Sequence, residues 1–152
     1  MMWSVKETTV PYELPEQLHP SLRRVLSYWE SLKRGENEMP FWDDVKLSVL
    51  PDLSGKLMLI DVFTNPERFR LSFVGEQLSC WSKESMLGKF VDEIQPRTPF
   101  DYLCSQCSAT VEGKKPTFLD HRSGEAGSFS RLLMPMWREG RIGMLLGAVD
   151  WH

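Results

Sequence analysis

A basic face, a long apolar run and a secretion leader are all missing from this chain, and each absence removes a class of function. The 18 lysines and arginines are interspersed with 21 aspartates and glutamates, for a formal net charge of -3. A nucleic-acid-binding surface would show as a positive stripe or patch, so no nucleic-acid partner is expected. No apolar stretch has the length of a membrane span, and the N-terminus lacks the basic-then-apolar order of a signal peptide. The expected setting is therefore cytoplasmic and off the membrane. Cysteine is scarce as well. Cys80, Cys104 and Cys107 make an odd, small set, which fits reduced thiols rather than a disulfide framework. No phosphate loop, H-E-x-x-H pattern or Ser-His-Asp constellation is found.

What is present is the material of one ordinary domain: 152 residues, 41% of them hydrophobic. The organising stretch runs from Leu57 to Ile94. Leu57 to Phe63 is apolar around Asp61. After Asn65-Pro66, Phe69, Leu71 and Phe73 alternate with Arg68, Arg70 and Ser72. An apolar run and a period-two alternation on the two sides of a turn signal predict a hairpin. A short helix over Glu76 to Lys83 and another turn over Phe90 to Ile94 follow it.

Upstream, residues 1–18 are weakly patterned and read as an N-terminal arm, with residues 19–152 as the domain. Leu22, Val25, Leu26, Trp29 and Leu32 form one apolar stripe of a helix that begins at Pro20 and is expected to stop at Gly35. That stripe has two readings of equal weight: packing on the domain's own sheet, or an interface with a protein partner or a second copy in a homodimer. Trp42 to Val49 has room for a single helical turn. Downstream, Phe100 to Glu112 predicts a second amphipathic helix with Phe100, Leu103, Cys104, Cys107 and Val111 on its apolar face. Three strands complete the order, over Pro116 to Arg122, Ser128 to Trp137 and Ile142 to Trp151. Strands separated by helices without βαβ alternation point to an α+β fold.

The closing segment, SRLLMPMWREGRIGMLLGAVDWH from Ser130 to His152, carries a family resemblance. It is similar to the end of a PAS domain: a strand with a proline, a charged turn with glycine, and a glycine-spaced last strand reaching an aspartate. Pro135, Gly140, Gly143, Gly147 and Asp150 are the matching positions. The Asp-Ile-Thr triplet of many PAS domains is met here only by the aspartate of Asp150-Trp151-His152. A narrower likeness, to a stand-alone PAS-like family common in alphaproteobacteria, rests on Trp29, Pro40, Leu50-Pro51, Ile60-Asp61-Val62, Phe69-Arg70, Gly75 and Gly88. The resemblance implies a five-stranded antiparallel sheet with helices over one face, plus an additional N-terminal helix. It also implies a non-enzymatic sensory role. With no kinase, cyclase or DNA-binding region after His152, such a module is expected to signal through something it touches.

The chemistry-bearing residues are few. Cys104-Ser105-Gln106-Cys107 is a C-x-x-C inside a predicted helix, without the strand-to-helix setting that lowers a thiol pKa. Its plainer reading is two small apolar residues on a buried face. Asp120 and His121 are neighbours on a strand and so point to opposite faces. The flavin-photoreceptor cysteine motif of PAS domains is absent, and Phe100 to Glu112 has no haem-ligating histidine, so the cofactor is unknown. The remaining expectation is a pocket for an unidentified small, mostly apolar molecule, lined by Phe73, Trp81, Phe100, Leu103, Cys104, Cys107, Leu132 and Met134. A filled core that acts only through its surface would use the same residue types. A small cavity enzyme built on Asp61, Asp120 or His121 is the weaker third reading.

Overall fold

In the computed structural model, residues 12–79, 86–94, 99–122 and 128–151 are described. The elements are α1 (Pro20–Ser31), β1 (Leu57–Phe63), β2 (Arg68–Val74), α2 (Glu76–Ser79), α3 (Leu103–Gly113), β3 (Thr117–His121), β4 (Phe129–Arg138) and β5 (Arg141–Trp151). Four short 3-10 turns, at Trp42–Asp44, Leu47–Val49, Ser54–Lys56 and Val91–Glu93, shape the connections. The five strands form one sheet in the order β2-β1-β5-β4-β3, and every pairing is antiparallel. The expected sheet is thus present. So is the long crossover, which carries α2, α3 and a 3-10 turn from one edge of the sheet to the other.

The alternation of side chains assigns the two faces. Consecutive strand residues point to opposite sides. Arg131 on β4 bonds to Gln106 on α3, so Phe129, Arg131, Leu133 and Pro135 face α3. Asp150 on β5 accepts from Ser21 at the start of α1 and pairs with Ser130. Ser130, Leu132, Met134 and Met136 therefore face α1. Helices cover both sides of the central strands, which explains the long runs of buried residues along β4 and β5.

The stripe on α1 packs on this sheet. Leu22, Val25 and Trp29 are buried to 1–2% exposure, and the Trp29 indole donates to the Pro135 carbonyl at 2.9 Å. Full burial of each such side chain is worth roughly 1.5–3 kcal/mol. The packing reading of the stripe thus holds for Leu22, Val25 and Trp29, while Leu26 and Leu32 are half-buried. Its polar side carries Arg24, which pairs with Asp52 through two hydrogen bonds of 2.6 and 3.1 Å.

One boundary differs from expectation. The helix ends at Ser31, with Leu32 as its C-cap, before it reaches Gly35. Its start at Pro20 is as expected, and the His19 ring accepts from the Ser21 N–H and caps the helix. The second half of the expected arm is docked: the Phe118 N–H donates to the Tyr12 carbonyl at 2.8 Å, and Leu14 and Leu18 pack against the core.

Candidate functional site

The site is built where β4 meets the start of α3. Its centre is Arg131, fully buried at 0% exposure in the middle of an apolar strand. A buried guanidinium survives only if its donors are matched, since unpaired buried charge is costly. Here Nε donates to Gln106 Oε1, Nη1 to the Pro99 carbonyl and Nη2 to the Asp101 carbonyl, each at 2.8 Å. The network extends from there. Gln106 Nε2 donates to Thr117 Oγ1 at 3.1 Å and to the Arg131 carbonyl at 3.2 Å, while the Thr110 and Thr117 hydroxyls lie 2.7 Å apart. Burial pulls the Arg131 pKa down to about 10, opposed by the nearby Cys107 and Asp101.

The consequence is mechanical. Arg131 grips the carbonyls on either side of Phe100, and so fixes the backbone that leads into α3. That backbone needs holding, because Tyr102 has a φ of 58°, the left-handed region that bulky residues avoid. The Gln106 N–H donates to the Tyr102 carbonyl at 3.0 Å and continues the clamp into the first turn of the helix.

Above this clamp lies a cleft of about 490 Å³ between the Val91–Glu93 turn and the first turn of α3. Val91, Ile94, Phe100 and Leu103 supply its apolar lining, and Asp101, Tyr102, Cys104 and Ser105 supply polar groups. The mixture of an apolar lining with a few fixed polar groups is that of a small-molecule site. Tyr102 stands at its edge with 61% of its surface exposed, its ring edge-on to His121. Asp101 Oδ2 is 3.8 Å from His121 Nε2, whereas Asp101 Oδ1 is buried with no hydrogen-bond partner.

Of the residues expected to line a pocket, Phe100, Leu103 and Cys104 are brought together at this cleft. Cys107 lies one turn further along α3, fully buried against the sheet. Leu132 and Met134 do not join them. They are on β4 but face α1, because the residues directed at α3 are their neighbours Arg131 and Leu133. Phe73 is half-buried on the edge strand β2, whereas α3 packs on β3 and β4 at the other end of the sheet. Trp81 is outside the described residues.

The buried face of α3 is Leu103, Gln106, Cys107 and Thr110. Cys104, expected on it, is exposed instead. The two thiols of the C-x-x-C therefore differ. Burial pushes the Cys107 thiol far above its ordinary pKa, and burial with the Asp92 and Glu67 charges raises that of Cys104. Neither has the depressed pKa of a reactive cysteine. Among the described residues no three His, Cys, Asp or Glu side chains cluster as metal ligands. Nor do the three carboxylate and histidine candidates converge. Asp61 is held by Arg70 at 2.8 Å and Arg138 at 3.3 Å on the α1 side, Asp120 is exposed, and His121 faces Tyr102 and Phe129.

Arg131, Gln106 and Asp101 were not anticipated as site residues. The usable signal was polarity out of place: an arginine inside an apolar strand, and a glutamine and a threonine at helical spacing with Leu103 and Cys107.

No protein-family model matches the chain, and no curated protein matches it. Among solved structures it is similar to the PAS domain of histidine kinase ThkA, at 21% identity, with 62% of this chain and 98% of that one covered and a TM-score of 0.45. It is also similar to a sensory box sensor histidine kinase from Vibrio cholerae, at 21% identity over 70% of this chain and 88% of that one, with a TM-score of 0.46. With its 2-1-5-4-3 strand order, antiparallel pairing throughout and helical crossover between β2 and β3, the chain has a PAS-like α+β fold.

Proposed function

We propose that this chain is a non-enzymatic signalling module that takes a small, mostly apolar ligand in the cleft beside α3 and alters its contacts with a protein partner in response. The observation that supports this reading is the cleft itself, an apolar hollow whose wall is pinned from below by the buried Arg131. Binding there would press on Phe100 and Leu103, which are continuous with the clamp on β4, and β4 pairs with β5 along its whole length. A ligand shifts such a structure only through different affinity for two conformations. The polar face of α1, lying over β4 and β5, is the surface through which a partner would read the change.

The test uses N-phenyl-1-naphthylamine, an uncharged dye that brightens in apolar sites. We expect saturable brightening with the wild-type chain and loss of it in Cys104→Trp, in which a large ring on an exposed helix position fills the cleft. No brightening with a folded wild-type chain would favour the second reading, an adaptor with a filled core. Brightening that Cys104→Trp leaves unchanged would place the dye elsewhere and argue against this cleft.

A further inference from the structure

A row of five side chains centres on Asp61, on the α1 side of the sheet. The Arg138 guanidinium lies over the Trp42 ring at 4.8 Å and donates to Asp61 Oδ1 at 3.3 Å. Arg70 donates twice to Oδ2, at 3.2 and 2.8 Å, and lies over the Phe63 ring at 4.9 Å. Arg138 is on β4 and Asp61 on β1, so the arginine must reach across β5, which runs between them. Gly143 on β5 makes that path possible, because a Cβ there would lie 2.6 Å from Arg138 Cβ. A third guanidinium joins the row. Arg141 stands directly opposite Arg138 in the β4–β5 ladder, and its Nη1 donates to the Val62 and Ile142 carbonyls at 3.0 and 3.1 Å. Like charges directly opposite are destabilising in a sheet. Two of these cations share one carboxylate, and among the described residues Arg141 has no ion pair. Two further acids lie close in sequence, Glu139 in the hairpin turn and Asp43 next to Trp42, and neither pairs with the three arginines. Donors are therefore left over: Arg70 Nη1, and Nε and Nη2 of both Arg138 and Arg141, have no partner among the described residues. Asp61 is buried, whereas the Arg138 and Arg70 side chains are 36% and 42% exposed and Trp42 is 39% exposed. The buried carboxylate thus holds two half-exposed guanidiniums in place, which lowers the ordering cost of binding through them.

We infer that this row docks an acidic segment of a protein partner: a carboxylate side chain accepts from Arg138 and Arg141, and an apolar residue beside it lies on Trp42. The added carboxylate sits between the two opposed cations and takes up donors that the chain itself leaves over. Tryptophan and arginine are the residue types that dominate binding hot spots. A free small anion gains little here, since an ion pair at a half-exposed guanidinium is worth little by itself. A carboxylate carried on a segment adds apolar burial to the charge. The inference goes beyond the reading of the cleft and does not depend on it, because these residues lie on the other side of the sheet from α3.

Three probes test it: the blocked peptide acetyl-Leu-Glu-Glu-Leu-amide, its uncharged counterpart acetyl-Leu-Gln-Gln-Leu-amide, and inorganic phosphate. Each is titrated into the intact chain in low-salt buffer and followed by the Trp42 indole N–H and the backbone amides of Arg138 and Arg141. Saturable shifts are expected with the glutamate peptide, and they should weaken as salt is added. In Arg141→Gln the affinity should fall by about tenfold, the scale of one charge-assisted hydrogen bond. Arg23→Gln removes the same charge from α1 and should leave the affinity within about twofold, because exposed charges further off are screened. Equal binding of the glutamine peptide overturns the inference, as does phosphate binding as tightly as the glutamate peptide, which would make the row a site for a free oxyanion. Equal weakening by Arg23→Gln would show diffuse attraction and overturns it too, as does the absence of shifts with the glutamate peptide. The order of the three probes on the wild-type chain decides the matter even if Arg141→Gln folds poorly, and dye binding in the cleft is unaffected by any of these outcomes.

Discussion

At the scale of single residues, Arg131 matters most. It is a cation in the core, and its role is to supply donors to the Pro99 and Asp101 carbonyls. The Arg131→Met variant keeps the apolar volume but strands three acceptors: Gln106 Oε1 and the carbonyls of Pro99 and Asp101. Each buried acceptor left unmatched costs about 1–3 kcal/mol, and the losses overlap, so a destabilisation of about 3–5 kcal/mol is expected in urea denaturation. Removing Gln106 as well, in Arg131→Met with Gln106→Leu, should restore only part of this, because the two backbone carbonyls cannot be mutated away. Arg131→Lys should also recover only part, since an ammonium on a flexible stem lacks the planar fork that spans both carbonyls. Wild-type stability in Arg131→Met would mean that the clamp contributes nothing to the fold. The sequence made this residue hard to find. In Ser130-Arg131-Leu132-Leu133-Met134 apolar residues sit on both faces, so no alternation shows which of them looks toward α3. Choosing Leu132 and Met134 over Arg131 and Leu133 is an error of one residue in register, and in a strand that inverts every side chain.

At the scale of elements, far more was legible. Both strands of the Leu57 hairpin alternate or run apolar for their full length, and α1 with its C-cap Leu32 has five apolar positions on one stripe. These patterns predicted the right elements within a few residues. The failures are at ends and at mixed faces. The long crossover helix was expected from Phe100 but starts at Leu103, because the left-handed Tyr102 and the grip of Arg131 on Asp101 hold the preceding residues out of helical geometry. Its buried face includes Gln106 and Thr110, whose polarity weakens the periodic signal. Gly75, by contrast, was singled out from sequence and has a clear physical role. A Cβ there would lie 2.4 Å from the carbonyl carbon and oxygen of Gly55 and 2.5 Å from the Ser54 oxygen. Those are backbone atoms of the 3-10 turn Ser54–Lys56, which cannot rotate aside. Gly75→Ala should therefore cost about 3 kcal/mol, the upper end of an overpacking penalty. In Gly113→Ala the new methyl meets only the Lys115 side chain at 3.7 Å and should be tolerated. Chemical denaturation of the pair checks this, and equal stability of the two variants would contradict the close approach at Gly75.

At the scale of the whole molecule, one side of the central sheet is closed by α1 and the other holds a cleft between α3 and the Val91–Glu93 turn. The closure was half legible. The stripe on α1 was visible, but a stripe does not say what covers it, and only the positions of Trp29 against Pro135 and Ser21 against Asp150 answer that. The cleft was legible as a set of residue types and not as a shape, because core and pocket linings draw on the same apolar side chains. The central claim is that the hollow beside α3 is a ligand site. Native mass spectrometry, on wild-type and Cys104→Trp chains purified gently from the same cells, tests it most directly. The account predicts a reproducible extra mass on the wild-type chain that is lost on denaturation and absent from Cys104→Trp. A bare mass for both chains, or an extra mass that Cys104→Trp retains, would contradict it.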